Sequence, residues 1–181
     1  LRNLGLALVL LTLAGVIAAH GMAGNLGVNP VRGFFVARVS RVHISLLAAA
    51  LLLLLGFAAW LGSSDLLTTP SSITHGASYA DVHARMPALA LLLVASLAAA
   101  TLAAYQMTVT SLWPIAAAVA LYGVVSAGGI GYAGIIQRFV VAPDEQVRET
   151  PYIVHNMHAT RAAFNLDRVA ERELSGDALL T

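Results

Sequence analysis

Six histidines and no cysteine make up the conventional ligand chemistry of this 181-residue chain. His20 and His43 flank one connection between apolar runs, a placement compatible with a two-histidine haem or a metal ion at that edge. His155 and His158 stand three residues apart, a spacing at which two imidazoles share one helix face. His75 and His83 lie on a connection that reaches the same side. No Cys, Asp or Glu completes either set at a recognisable ligand spacing. The expected outcome is therefore solvated or backbone-bonded histidines, with no cofactor and no metal. Without Cys, disulfide frameworks, thiolate metal sites, iron–sulfur clusters and cysteine nucleophiles are all excluded. There is no glycine-rich phosphate loop, nucleophile elbow or carboxylate pair inside an apolar run, so no enzyme is expected. No charged residue lies centrally in any of those runs, which argues against an ion-coupled pump.

The elements that must position these groups are set by composition. Apolar residues make up 59% of the chain and charged residues 10%, against about 45–50% and about 25% in soluble domains. Mean hydropathy is +0.80. A net charge of +1, with all ten basic residues Arg, is too thin for nucleic-acid binding, which needs a clustered basic face. Four runs can cross about 30 Å of hydrocarbon as helices: 4–24, 44–61, 87–105 and 112–136. The second holds eight Leu in eighteen residues, and its insertion is favourable by about 3–5 kcal/mol. Barrel strands would alternate polar and apolar residues, and these runs do not. The first run imitates a signal peptide, with Arg2 ahead of it and Ala18 to Ala23 as a small-residue site, but it is longer than a usual h-region. The opening on Leu1 rather than Met leads us to expect a piece of a longer product.

The fold class expected is thus all-α: a polytopic bundle of four spans over residues 1–139, then a segment over 140–181. The connection 25–43 carries Arg32, Arg38, Arg41 and His43 with no acid, which places it in the cytoplasm and residue 1 and the tail outside. In the connection 62–86, Ser78 and Asp81 form a capping-box-like pattern ahead of Pro87. In the fourth span Gly123, Ala127 and Gly131 recur every four residues. We expect that small face to pack on another span, in preference to a helix broken at Gly128-Gly129 along a substrate path. In the tail, Thr150 with Pro151 reads as the start of an amphipathic helix over about 151–164, with Ile153, Met157, Thr160 and Phe164 on one face. Arg148, Arg161 and Arg168 are placed to meet nearby acids or lipid phosphate.

Two stretches are more specific. The first is Gly76-Ala77-Ser78-Tyr79-Ala80-Asp81-Val82-His83-Ala84-Arg85-Met86-Pro87. The second runs from Gln137-Arg138-Phe139 through Pro143-Asp144-Glu145, Glu149-Thr150-Pro151-Tyr152-Ile153 and Asn156 to Thr160-Arg161-Ala162-Ala163-Phe164. In this order around matching spans, they resemble a large family of bacterial integral-membrane proteins, common in actinobacteria and cyanobacteria and known only as an uncharacterised protein family. The resemblance extends from about Leu4 to Val169. It implies seven spans followed by a large extracytoplasmic domain and often an acidic tail, with this chain as spans four to seven and the first residues of that domain. It supplies no catalytic residue. Three departures stand out: Asp144 where the family usually has Asn, no Arg in the third connection, and Gly62-Ser63-Ser64 in place of a more charged segment.

The function these readings lead us to expect is a membrane anchor and assembly scaffold in the bacterial plasma membrane. Its partners would be membrane lipids and other transmembrane segments or subunits. A transporter or lipid-handling protein is the alternative, and a haem or metal protein comes third.

Overall fold

In hydrocarbon, a backbone must satisfy its own hydrogen bonds, and long apolar runs do so as helices. The computed structural model, which describes residues 2–30, 33–68 and 76–168, is built almost wholly that way. Helices α1 (Arg2–Met22), α2 (Arg38–Asp65), α3 (Met86–Tyr105) and α4 (Trp113–Ile135) cover the four runs, and α5 (Glu145–Ala163) follows. The runs 4–24, 44–61, 87–105 and 112–136 are thus helical over nearly all of their length, with α2 beginning at Arg38 and α1 ending at Met22. Four helices are long and apolar enough to cross a membrane, the last continuing from α4 through α5. Two π-helical turns, Asp81–Arg85 ahead of α3 and Ile136–Val141 after α4, mark the same end of the bundle. We call it the tail end.

The opposite, hairpin end departs from a purely helical expectation. Strand β1 (Leu26–Asn29) pairs antiparallel with β2 (Gly33–Val36), Leu26 opposite Val36 and Gly27 opposite Phe35. These are short runs of β-branched and aromatic residues around a turn that begins at Asn29-Pro30, a hairpin signal too brief to stand out beside the spans. Arg38, Arg41 and His43 belong to the start of α2 rather than to an irregular loop.

Helix α3 lies between α2 and α4, and α1 lies against α2. The core they share is small: Leu52 with Ala99, Ala100, Ala103 and Ala118, flanked by Ile115, Leu121 and Tyr122. Small side chains let helix backbones approach where packing rather than water exclusion drives association. At the α2–α3 crossing a Cβ on Gly56 would collide with Ser96 Oγ. At the α3–α4 crossing one on Gly129 would stand 3.1 Å from the Ala88 methyl. Large apolar side chains such as Leu4, Leu11, Val124 and Ile130 point outward instead, the inverse of a water-soluble bundle.

Two expectations are corrected. Gly123, Ala127 and Gly131 meet none of α1 to α3: Ala127 is exposed, and a Cβ on either glycine finds nothing within 4 Å. The packed face of α4 carries Ala118, Tyr122 and Gly129. At about 100° per residue, Gly129 and Gly131 lie on nearly opposite faces, and the bundle uses the one whose stripe holds Ala118 and Tyr122. The tail helix starts at Glu145, not Pro151, so Pro151 is internal. Thr150 makes no cap, because its hydroxyl donates back to the Gln146 carbonyl.

Candidate functional site

The start of the helix leading into α3 leaves backbone N–H groups without intrahelical partners, and the two stretches singled out in the sequence meet in satisfying them. Ser78 N–H and Oγ–H donate to Asp81 Oδ2 at 3.0 and 2.9 Å, while Asp81 N–H donates to Ser78 Oγ at 3.3 Å. That is the reciprocal box expected from the spacing. The next donor, Tyr79 N–H, is capped from α5: both Glu149 carboxylate oxygens accept it at 3.2 Å. A carboxylate there also suits the positive end of the helix.

Aromatic contacts close the same joint. The Tyr79 and His83 rings stack at 4.1 Å, and Tyr152 of α5 stands edge-on to both. His83 Nδ1 lies 3.1 Å from the Tyr79 carbonyl and 3.2 Å from the Tyr152 hydroxyl. The Arg148 guanidinium sits 5.4 Å over the Tyr79 ring, within cation–π range. Burial pushes the Tyr152 phenol above its ordinary value of 10, and Tyr79 and Glu149 beside it push the same way. Gly76, at φ +137°, passes so close to α5 that a Cβ would lie 2.6 Å from Asn156 Oδ1. Residues 76–83 and 149–156 thus form one interlocked joint at the tail end.

Beside the joint, an open cleft of 830 Å³ runs between α2, α3 and α4. Its walls are apolar, with Ala58, Leu89, Leu92 and Ala133 among them. Arg85, Gln137, Arg138 and Asp65 stand at its mouth. The π-helical turns deliver Arg85 and the Gln137-Arg138 pair there. Such widened turns recur at functional sites. Arg85 is bound to Asp81 at 2.8 Å, whereas Arg138 is exposed and has no ion pair among the described residues.

At the hairpin end, α1 closes with a left-handed Gly24, φ +69°, whose N–H bonds the Gly21 carbonyl while Asn25 N–H bonds the His20 carbonyl. This terminating motif carries Asn25 back over His20. The Asn25 amide lies 3.3 Å from His20 Nδ1, and His20 Nε2 lies 3.0 Å from His43 Nδ1. With the amide N–H as donor, the proton positions along this chain are fixed, and His43 keeps Nε2–H. The two histidines expected at similar depth are therefore in contact. His155 and His158 are exposed on α5, and His83 is engaged by tyrosines rather than by them. His75 lies outside the described residues. Among those described, no group of three or more His, Asp or Glu is arranged to hold a metal ion.

Comparison with known sequences decides the family. A profile described as "Uncharacterised protein family (UPF0182)" matches residues 1–181. The chain belongs to UPF0182. A UPF0182 protein of Frankia casuarinae is 35% identical over 179 residues, covering 97% of this chain and 17% of that protein. One of Kineococcus radiotolerans is 38% identical over 176 residues, covering 94% and 17%. One of Sulfurovum is 30% identical over 177 residues, covering 97% and 19%. The chain therefore spans less than a fifth of the length of these relatives. No solved structure matches it.

In this UPF0182 segment the residues that carried the resemblance divide by position. Gly76, Ser78, Tyr79, Asp81, Tyr152 and Asn156 build the joint; Arg85, Gln137 and Arg138 reach the cleft. Pro87 sits in the first turn of α3 and Glu145 opens α5. Pro151, Thr160 and Arg161 lie farther along α5, where the Thr160 carbonyl accepts the Phe164 N–H. Of the expected apolar face of α5, Ile153 is half-buried while Met157, Thr160 and Phe164 are exposed. The docked face is polar: Glu149, Tyr152 and Asn156 recur at i, i+3 and i+7. Gln106 was also passed over in the uncharged third connection. Its buried side chain donates to the Ser111 carbonyl at 2.8 Å and accepts Ile115 N–H at 3.2 Å, which holds the α3–α4 turn.

Proposed function

We propose that this part of the polypeptide is a non-enzymatic membrane anchor and assembly base of the bacterial plasma membrane. Helices α1 to α4 would cross the bilayer, with the hairpin end in the cytoplasm and the tail end outside. The single observation that supports the reading is the capping of Tyr79 N–H by Glu149, 70 residues on in the chain. It ties the segment that follows the last span to the connection between two earlier ones. A flexible linker would need no such joint. A helix that must hold a following domain at a fixed height above the membrane needs one. Its partners in this reading are membrane lipids and the other spans of the longer protein. The open Gly123, Ala127 and Gly131 face of α4 is available to such a span.

The test is Glu149→Gln and Glu149→Ala in the full-length protein. Both variants should remain in the membrane fraction after alkaline extraction. Tryptic cleavage at Arg161, assayed on cells with opened outer layers, should accelerate in each. Unchanged cleavage in both would show that the joint fixes nothing, and loss from the membrane would remove the anchor reading.

A further inference from the structure

The cleft between α2, α3 and α4 has three properties that one class of molecule combines. Its walls are mainly apolar, its mouth holds a guanidinium with no ion pair among the described residues, and it is an open cleft lined by three helices. Along α4 it extends from Val125 to Arg138, about 20 Å at 1.5 Å per residue. One leaflet of hydrocarbon is about 15 Å deep, half of the whole core. The cleft is therefore one leaflet deep with its charged groups at the headgroup level. A further spanning helix would need a groove about half as long again, to cross the whole core of about 30 Å. Its volume of 830 Å³ is in the range of about 300–1,000 Å³ that encloses single small molecules.

The mouth specifies the polar end of the occupant. Arg85 is neutralised by Asp81, which is itself buried and held by Ser78. Arg138 brings a positive charge on the π-helical turn that ends α4, with the Gln137 amide beside it as a further donor. A guanidinium with an adjacent amide donor suits a phosphate oxygen pair. Asp65 stands at the α2 side of the same mouth, so the phosphate belongs on the α4 side.

We infer that this cleft is a binding site for one glycerophospholipid, its phosphate on Arg138 and Gln137 and an acyl chain between Leu89, Leu92 and Ala133. The lipid would lie over the shallow wall that the small residues Ala58, Gly62, Ala88, Gly129 and Ala133 form. It would also complete the polar surface beside the Tyr79–Glu149 joint. The site rests on the reading that α1 to α4 cross the bilayer, and holds whether or not the joint anchors a following domain.

The experiment uses the full-length protein in nanodiscs with a trace of diazirine-bearing phosphatidylglycerol or, in parallel, diacylglycerol with the same diazirine chain. Photolabelled peptides are then mapped. Phosphatidylglycerol should label peptides of 85–92 and 125–138 about five-fold more than diacylglycerol, the preference one surface Arg confers on a phosphate lipid. Arg138→Gln should reduce that labelling to the diacylglycerol level, and Arg138→Lys should keep most of it. Ala133→Phe, which fills the cleft from within, should lower the labelling by both lipids. Equal labelling by the two lipids, labelling indifferent to Arg138→Gln, or absence of label from these peptides because another segment of the protein occupies the cleft would each overturn the inference.

Discussion

Gly76→Ala is the sharpest probe of the joint, because geometry assigns it two separable costs. At φ +137° an L-residue is strained by about 1–3 kcal/mol. The added methyl would also stand 2.6 Å from Asn156 Oδ1 and 2.8 Å from its Nδ2, which forces the amide aside at about 1 kcal/mol, the low end for overpacking because a side-chain tip can move. The sum is about 2–4 kcal/mol on the docking of α5. At tenfold per 1.4 kcal/mol, 2 kcal/mol raises the open fraction about thirty-fold. When opening is fast relative to cleavage, the rate of tryptic cutting at Arg148 and Arg161 reports that fraction. Asn156→Ala in the Gly76→Ala background removes the clash and leaves the strain, so the double variant should recover about 1 kcal/mol of the loss and no more. Cleavage of Gly76→Ala at the wild-type rate would refute the close approach. Complete recovery in the double variant would refute the backbone strain.

Other expectations follow from single contacts. Gly56→Val should lower the thermal stability of the full-length protein in detergent by about 1–3 kcal/mol, since its Cβ would collide with Ser96 Oγ; Ser96→Gly should restore part of it. Gly129→Leu should separate α3 from α4, while Gly131→Leu should be neutral unless another span of the longer protein covers that face, so their melting temperatures locate the covered side of α4. Tyr152 has a raised pKa, so its contribution is complete below pH 10 and is lost as the phenolate forms above it; ultraviolet titration of Tyr152→Phe should lose one late-ionising tyrosine relative to the unsubstituted protein. For orientation, an impermeant maleimide on intact cells should label Glu145→Cys and spare Val28→Cys, both at exposed positions; labelling of Val28→Cys alone would invert the proposed topology.

The spans were legible because hydropathy is a local property: an apolar run declares itself whatever it packs against. The contacts were not, for an identifiable reason in each case. Two small-residue faces run along α4, and nothing in the sequence says whether Gly129 or Gly131 meets a neighbour; Ala88 on another helix decides. The α5 face was misread because an amphipathic pattern assumes an apolar dock, whereas this helix docks through Glu149, Tyr152 and Asn156 on one orphan N–H, the Tyr79 and His83 rings, and a glycine. Thr150-Pro151 imitates a helix start, but proline is tolerated inside α5. The Ser78–Asp81 box was readable because both partners are three residues apart. Glu149, 70 residues away, was readable only as a residue of the second family-like stretch, with no hint of its partner.

The joint and the cleft meet in one carboxylate. Asp81 Oδ2 holds Ser78 at the start of the helix that Glu149 caps, while Oδ1 holds Arg85 at the cleft mouth. Asp81 is buried, so this pair of interactions sits in a low-dielectric setting where a lost partner is costly. Ser78, Tyr79, Asp81 and Arg85 fall within eight consecutive positions, and Ser78 and Arg85 are held by the same carboxylate. A shift of Tyr79 against Glu149 therefore moves Ser78, then Asp81, then the guanidinium. On the other side, Arg138 and Glu149 are joined through Ile136–Val141, Ala142–Asp144 and the first turn of α5, with a non-helical backbone at Asp144 (φ −141°, ψ 45°). Both walls of the cleft mouth are consequently tied to the two halves of the joint, so an occupant that fixes Arg85 relative to Arg138 would also restrict how far α5 can swing from the connection ahead of α3.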